Sequence, residues 1–538
     1  MNSFNTASFL VDAVEGHADQ RALIYRSGRV YESLTFAELG RRVDGYAHAL
    51  TAAGVSPGQK VLVLLRGADF VAITFALFKV GAIPSLIDPG MGMAGLLSCV
   101  RQLQPEVLIG IPPVFLMAAV CPRSFASVRI RLVVGGRLPA VRSLRPVEGG
   151  REFPLAETAP DETAAILFTS GSTGPAKGVV YRHRIFQAQV LALQKMYAFT
   201  PGEIDMPGFP LFALFSTALG QTCLLPELNP SRPATVDPAR VVDACLQFGA
   251  HSLQGSPAIW TRVGRFCRDN RLSLPGVKRV LTFGAPISVE LLATWREILG
   301  PGGLVHTPYG ATEALPVASI SSEEVLGETA TLRAEGRGTC VGRPAPGISV
   351  RIIRIRDEPL PVWSDELLAA PGEVGEIVVA GDVVTWSYYA CDDATNAAKI
   401  REDATVWHRM GDLGYFDAKG RLWFCGRKGH RIEGEGHTWF SVCGEGMVDP
   451  HPGVARSALV GVGPHGHQEP VIVVEPHEMP RGAARERLQK EVLSLLHEAP
   501  EYQKVQKVLF HRSFPVDPRH NAKIHREELA AWAVRELP

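Results

Sequence analysis

No pair of cysteines in this chain has the spacing C-x-x-C, and neither sign of charge prevails. The nine cysteines, Cys99, Cys121, Cys223, Cys245, Cys267, Cys340, Cys391, Cys425 and Cys443, are odd in number and scattered. That pattern argues against a disulfide frame or a structural zinc site, and for reduced thiols in a cytoplasmic protein. Lys plus Arg equal Asp plus Glu at 55 each. No global positive field therefore draws in nucleic acid or an anionic membrane surface. A membrane-spanning helix needs about 20 uninterrupted apolar residues. The most apolar region, 61–87, is broken by Arg66, Asp69 and Lys79, so an integral membrane protein is not expected. The opening MNSFNTASFLVDAVEGHADQ has neither the basic segment nor the apolar core of a secretion signal.

Several motifs are missing as well. There is no H-E-x-x-H and no G-x-x-x-x-G-K-[ST]. Their absence argues against a zinc protease and a Walker-type phosphate loop. A G-x-G-x-x-G does occur as GVGPHG at 461–466, but the strand-like QEPVIVVE follows it. A dinucleotide site requires a helix at that point. His465 and His467 offer two loop ligands without a third.

What is present is bulk and pattern. The 538 residues, 46% hydrophobic, are enough for more than one domain. Short apolar runs such as KVLVLL (60–65), AAILFT (164–169) and VKRVLTF (277–283) alternate with helical patterns such as DFVAITFALFKVG (69–81). That alternation predicts an α/β fold with mostly parallel strands. Between 340 and 425, ISVRIIRI, GEIVVAG and GRLWFCG read as short strands, a β-rich subdomain. From 428 onward, RSALVGVG, PVIVVE and the helical ARERLQKEVLSLLHE suggest a small α+β domain, with the basic turn at 426–430 as a hinge. The expected division is 1–427 and 428–538.

The strongest chemical signal is ILFTSGSTGPAKGVV (166–180). A buried strand runs into Thr169, Ser170, Gly171, Ser172, Thr173 and Gly174, with Lys177 beyond. Glycines let backbone N–H groups turn toward an anion, hydroxyls donate further hydrogen bonds, and lysine adds charge. The pattern predicts a phosphate-binding loop.

TSGSTGPAKG resembles the signature of the adenylate-forming superfamily, which includes acyl-CoA synthetases, peptide-synthetase adenylation domains and luciferases. Further blocks follow in that family's order: LTFAEL (34–39), VGAIPSLIDP (80–89), TFGAPIS (282–288), YGATE (309–313), RMGDLG (409–414), GRKGHRIEGEGH (426–437) and FPVDPRHNAKIHREEL (514–529). The resemblance implies a large N-terminal domain and a small mobile C-terminal lid, with ATP and Mg²⁺ as cofactors. Gly284, Ala285, Pro286, Tyr309, Gly310 and Ala311 would bind adenine. Thr312 would meet phosphate, Glu313 would hold Mg²⁺, and Asp412 and Arg427 would bind ribose. Lys523 would be the catalytic lysine, stabilising charge at the reacting phosphorus together with Thr312 and Glu313.

The chain also departs from the family pattern. Ala176 replaces a proline, Asn521 and Ala522 precede Lys523, and Gly429 sits at the hinge. Ala213 occupies the place of a histidine found in the P-L-F-H segment of many acyl-CoA synthetases. With FPLFALFSTALG (209–220), these departures resemble the branch of the family that makes β-lactones in bacterial long-chain olefin biosynthesis. The implied reaction activates a 2-alkyl-3-hydroxyalkanoic acid, a β-hydroxy fatty acid, as its acyl-adenylate. The acid's own hydroxyl then closes the ring. Phe212, Ala213 and Phe215 are the expected alkyl-binding wall, which would also keep water from the adenylate. The alternative is a medium- or long-chain acyl-CoA ligase or acyl-AMP ligase. Assembly with the pathway's reductase and β-lactone decarboxylase is implied by the resemblance alone.

Overall fold

In a computed structural model of the chain the described residues are 4–169, 176–229, 231–516 and 524–537. Two large sheets carry the N-terminal part. The first has seven strands in the order Arg142–Ser143, Ile130–Val133, Val107–Gly110, Lys60–Leu64, Ile83–Ile87, Thr163–Thr169, Lys177–Arg182. Its pairs are parallel except the last, a hairpin. The strands are short, mostly apolar runs, as parallel strands covered on both faces must be.

The second sheet has fourteen strands among the described residues. Its parallel portion runs Arg21–Ser27, Thr222–Leu224, Ile204–Pro207, Ser252–Gly255, Arg279–Thr282, Leu304–Ala311. The pairing then turns antiparallel through Ala314–Ser321, Thr339–Pro344, Leu422–Arg427, Thr405–Phe416, Gly375–Gly381 and Ile348–Ile353. The β-rich region expected at 340–425 therefore is not a sheet of its own. Thr339–Pro344 pairs on one side with Ala314–Ser321 and on the other with Leu422–Arg427. This continuity removes an edge that would otherwise present unpaired N–H and C=O groups.

One apolar cluster joins the two sheets. It takes Val61, Ile109 and Leu167 from the first and Leu23, Cys223 and Leu281 from the second. The helix Gly67–Val80, GADFVAITFALFKV, is buried along most of its length and contributes Phe75 and Phe78. Gly81 ends it at φ 77°, a left-handed cap that favours glycine. The helix Phe36–Ala52 starts on a capping box, with Glu38 N donating to Thr35 Oγ1 at 3.2 Å and Thr35 N donating to Glu38 Oε2 at 2.7 Å.

The C-terminal part holds a three-stranded sheet, Val454–Val462, Glu469–Pro476 and Lys507–Phe510, with the helices Ala483–His497 and Arg526–Glu536. Leu488, Val492 and Leu496 are buried on the inner face of the first helix. An apolar cluster continues across the hinge region: Leu413 and Cys425 pack with Ile432, Trp439, Cys443 and Met447. Arg333 pairs with Asp449 at 2.6 Å. GVGPHG lies between two antiparallel strands and is not followed by a helix. All nine cysteines are free. No helix among the described residues is long and apolar enough to cross a membrane.

Candidate active site

The parallel strands of the larger sheet bring two sequence blocks to one end. Arg279–Thr282 and Leu304–Ala311 are neighbours, with Leu281 opposite His306. The turn Gly284-Ala285-Pro286 leaves the first strand and Tyr309 stands near the end of the second. The C-terminal ends of parallel strands are where open α/β sheets place ligands. Gly284 has φ 91°, a left-handed conformation that a side chain disfavours.

YGATE forms the tip of a hairpin. Tyr309, Gly310 and Ala311 end one strand, Ala311 pairs with Ala314, and Thr312 and Glu313 make the turn. The register shifts between Tyr309 and Ala311. A Cβ on Gly310 would meet the Ala314 carbonyl oxygen at 2.7 Å, so the close approach there requires glycine. The tip is held from outside the motif. Tyr181 Oη donates to Thr312 O at 2.6 Å. Thr385 donates to Glu313 O from its N at 2.8 Å and from its Oγ1 at 3.1 Å. Tyr388 Oη donates to Glu313 Oε1 at 2.6 Å. Burial first, and then the Glu313 charge, hold the Tyr388 phenol far above its usual range.

Beneath this tip Lys399 is buried, donating to the Thr385 carbonyl. Burial pulls its ammonium down to about 7, against the opposing pull of Glu313. Neither Tyr388 nor Lys399 belongs to a block readable in the sequence. Tyr388 reaches Glu313, and Lys399 reaches Thr385, because the segment before the strand Lys399–Glu402 runs against the hairpin, Val384 bridging Ala314.

Asp412 and Arg427 face each other across the antiparallel strands Thr405–Phe416 and Leu422–Arg427. Arg427 Nη1 lies 2.8 Å from Asp412 Oδ1, and Tyr309 Oη donates to Asp412 Oδ2 at 2.5 Å. The pair thus joins the YGATE block directly. Burial pulls the Asp412 carboxyl upward, opposed by Arg427 and by the Tyr309 hydrogen bond. The Asp412 charge in turn raises Arg427.

Thr169 pairs with Lys177 at the end of the hairpin that carries the expected phosphate loop. Lys177 Nζ stands 5.2 Å from the centre of the Tyr388 ring, which ties that hairpin to the Glu313 contact. Ser170, Gly171, Ser172, Thr173 and Gly174 lie outside the described residues, as does Lys523.

A small apolar pocket, with a cavity volume of about 30 Å³, opens beside these blocks. Its lining includes Phe212, Phe215, Leu281, Phe283, Pro308 and Leu315. Phe283 adjoins the Gly284 turn, and Pro308 adjoins Tyr309. Phe212 packs on Phe283 with ring centres 4.6 Å apart. Among the described residues no titratable side chain lines it. FPLFALF is split by the structure. Phe212 and Phe215, on the helix Phe212–Ala218, line the pocket, whereas Ala213 is wholly buried in the main core and does not. Ala213, expected in the same wall, lies in the core beside the pocket. Adjacent positions on a helix are turned by about 100°, so Ala213 and Phe212 point apart.

That helix is anchored by a carboxylate the sequence reading overlooked. Asp205, wholly buried on Ile204–Pro207, accepts from Ser216 Oγ at 2.6 Å, Ser252 Oγ at 2.7 Å and Gln254 Nε2 at 2.7 Å. Burial pushes its carboxyl up to about 6 against these bonds. Among the described residues no group of three or more His, Cys, Asp or Glu could hold a metal. Glu313 alone offers a carboxylate at the hairpin tip. Such a donor set fits Mg²⁺, which takes one or two carboxylates and keeps water and substrate phosphate as its other ligands.

The family described as AMP-binding enzyme matches residues 10–389. Two curated relatives named olefin beta-lactone synthetase align along nearly the whole chain. One, from Xanthomonas campestris pv. campestris, is 42% identical over 99% of this chain and 98% of its own length. The other, from Stenotrophomonas maltophilia, is 44% identical over 94% and 92%. Among solved structures, an amide bond synthetase from Marinactinospora thermotolerans superimposes with TM-score 0.79 at 24% identity, covering 98% of this chain and 99% of that one. The resemblance of that structure concerns the fold.

Proposed function

The chain belongs to the AMP-binding enzyme family, and from that premise we propose that it is an ATP-dependent β-lactone synthetase of olefin biosynthesis. It converts a 2-alkyl-3-hydroxyalkanoic acid to a β-lactone through an acyl-adenylate, releasing AMP and pyrophosphate. The observation that carries this reading is the near-full-length likeness to two olefin β-lactone synthetases. The pocket supports it, being apolar and lined by no titratable side chain among the described residues.

The reaction has two steps. A carboxylate oxygen of the acid attacks the α-phosphorus of ATP, and the bond to the bridging oxygen breaks to release pyrophosphate. The β-hydroxyl oxygen then attacks the acyl carbon, the bond from that carbon to the AMP oxygen breaks, and the hydroxyl proton passes to the AMP phosphate or to water. The nucleophile is part of the substrate, so orientation takes the place of a second substrate and no side-chain nucleophile is called for. The four-membered ring is strained, and AMP as leaving group supplies the drive.

On this reading Gly284, Ala285, Pro286, Tyr309, Gly310 and Ala311 form the adenine site, and Asp412 and Arg427 take the ribose. Thr169, Ser170, Gly171, Ser172, Thr173, Gly174 and Lys177 hold the phosphates, with Thr312 beside them. Glu313 would hold Mg²⁺, which supplies positive charge against the phosphates. Lys523, carried by a lid of residues 428–538, stabilises charge on the reacting phosphorus. Phe212 and Phe215 contact the alkyl chains. A cytoplasmic location and assembly with a reductase and a β-lactone decarboxylase belong to the same proposal.

The test supplies ATP, Mg²⁺ and a 2-alkyl-3-hydroxy acid with and without CoA, and weighs the product. A product lighter than the acid by one water, formed with ATP and without CoA, is expected. A thioester formed only with CoA would overturn the reading in favour of an acyl-CoA ligase.

A further inference from the structure

Among the described residues, one side-chain oxygen in the pocket lining is fully buried without a hydrogen-bond partner. Gln189, on the helix His183–Tyr197, is 2% exposed and lines the pocket with Phe212, Phe215 and Phe283. Its Nε2 donates to Leu315 O at 3.0 Å. That bond fixes which end of the amide is which, since the reversed orientation would set oxygen against a carbonyl oxygen. Its Oε1 is buried and has no hydrogen-bond partner. Buried polar groups are almost always paired, and leaving one unpaired costs about 1–3 kcal/mol. The other amide in the lining, Gln254, commits its Nε2 to Asp205. The remaining lining residues are apolar. Leu315 lies two residues beyond Glu313, so the orphan acceptor sits under the YGATE hairpin, beside the region where the acyl group would be activated. The complement of such a site is a donor carried on an alkyl chain, close to the reacting carboxyl.

We propose that Gln189 Oε1 accepts the hydrogen bond of the substrate's β-hydroxyl, so that Gln189 selects 3-hydroxy acids and orients the hydroxyl oxygen for ring closure. This inference rests on the β-lactone reading above. Gln189 is a positioning residue: a neutral amide takes no proton, and engaging the O–H turns an oxygen lone pair toward the acyl carbon. A site that pairs a substrate hydroxyl discriminates against the analogue lacking it, because its own buried acceptor then stays unpaired.

The experiment compares a 2-alkyl-3-hydroxy acid with the same 2-alkyl acid lacking the hydroxyl, by pyrophosphate release. The proteins are the unaltered chain, Gln189→Leu and Gln189→Met. The unaltered enzyme should prefer the hydroxy acid in kcat/KM. Both variants should bind ATP and lose about ten- to hundredfold of that preference. A purely structural role for Gln189 would lower both rates together and leave the ratio unchanged, and that result would overturn the inference. The competitive inhibition constants of the two acids on the unaltered enzyme serve as a second measurement that needs no variant to fold. Equal constants, with lactone still formed, would refute the role of Gln189 alone. Absence of lactone altogether would refute the underlying reading.

Discussion

Asp412→Asn is the sharpest perturbation of the proposed nucleotide site. The carboxylate stands 2.8 Å from Arg427 Nη1 and accepts from Tyr309 Oη at 2.5 Å. Asparagine keeps the shape and one acceptor but loses the charge. Hydrogen bonds to a charged group contribute about 1.5–3 kcal/mol and neutral ones about 0.5–1.5, so each ribose hydroxyl loses roughly 1–2 kcal/mol. Two hydroxyls on one carboxylate then raise KM for ATP by roughly ten- to several-hundredfold, with 1.4 kcal/mol to each decade. The KM for the acid, whose alkyl chains the proposal sets against Phe212 and Phe215, should barely move. Removing one partner of a fully buried ion pair costs about 3–5 kcal/mol of stability. Here the Arg427 side chain is 30% exposed and Asn keeps an acceptor, so the loss should be nearer ~1 kcal/mol. Pyrophosphate release with ATP and acid varied in turn separates the two KM values, and thermal unfolding reads the stability. An unchanged KM for ATP in a folded variant would remove Asp412 from the ribose site.

Two further outcomes follow from the same site. Lys523→Ala should still bind ATP and lose about two to three orders of magnitude in adenylation, the usual cost of removing a charge-stabilising group; near-normal AMP formation would sink its assignment. Asp205 keeps its proton up to about pH 6 in the folded chain, against 3.8 ordinarily. The native state therefore binds the extra proton between those values, and stability should fall by about 3 kcal/mol as pH rises through that window, then level off. Asp205→Asn should abolish that slope in urea unfolding measured across the window; a slope that persists would place the titration elsewhere.

The residues legible in the sequence are those whose chemistry forces a local pattern. A phosphate loop needs glycines and hydroxyls in succession, and YGATE needs a glycine where the backbone crowds Ala314 O, so both stand out in a single string of letters. Single strands were foreseeable, KVLVLL and AAILFT in the smaller sheet and VKRVLTF in the larger, because buried parallel strands are short apolar runs. The larger sheet's continuity through Thr339–Pro344 was not, since pairing partners leave no mark on a strand's own composition. The side chains that support the site were invisible for a related reason. Tyr388 meets Glu313 across 75 positions and Gln189 meets Leu315 across 126. Asp205 on one strand meets Ser252 and Gln254 on the next, 47 and 49 positions away. An aspartate amid apolar letters at IDMPGFP was the one available signal, because a charge inside a buried strand demands partners.

Ala213 shows where pattern and position part company. The resemblance sets this chain's alanine against the histidine of a P-L-F-H segment. The contrast suggests a lost catalytic contact, yet Ala213 is wholly buried and packed in the main core, one residue round the helix from Phe212. An imidazole there must displace neighbours, at about 1–3 kcal/mol for overpacking. It must also bury ring nitrogens with no evident partner, at about 1–3 kcal/mol more. Ala213→His should therefore lower stability by roughly 2–6 kcal/mol. Lactone formation should fall with the folded fraction, and CoA should not enter the product. Calorimetric unfolding together with product mass decides the matter. If the variant unfolds at the original temperature and makes a CoA thioester, the side chain at 213 reaches the reacting centre. If it is destabilised and still makes only lactone, the alanine serves packing, and the apolar wall is the work of Phe212 and Phe215.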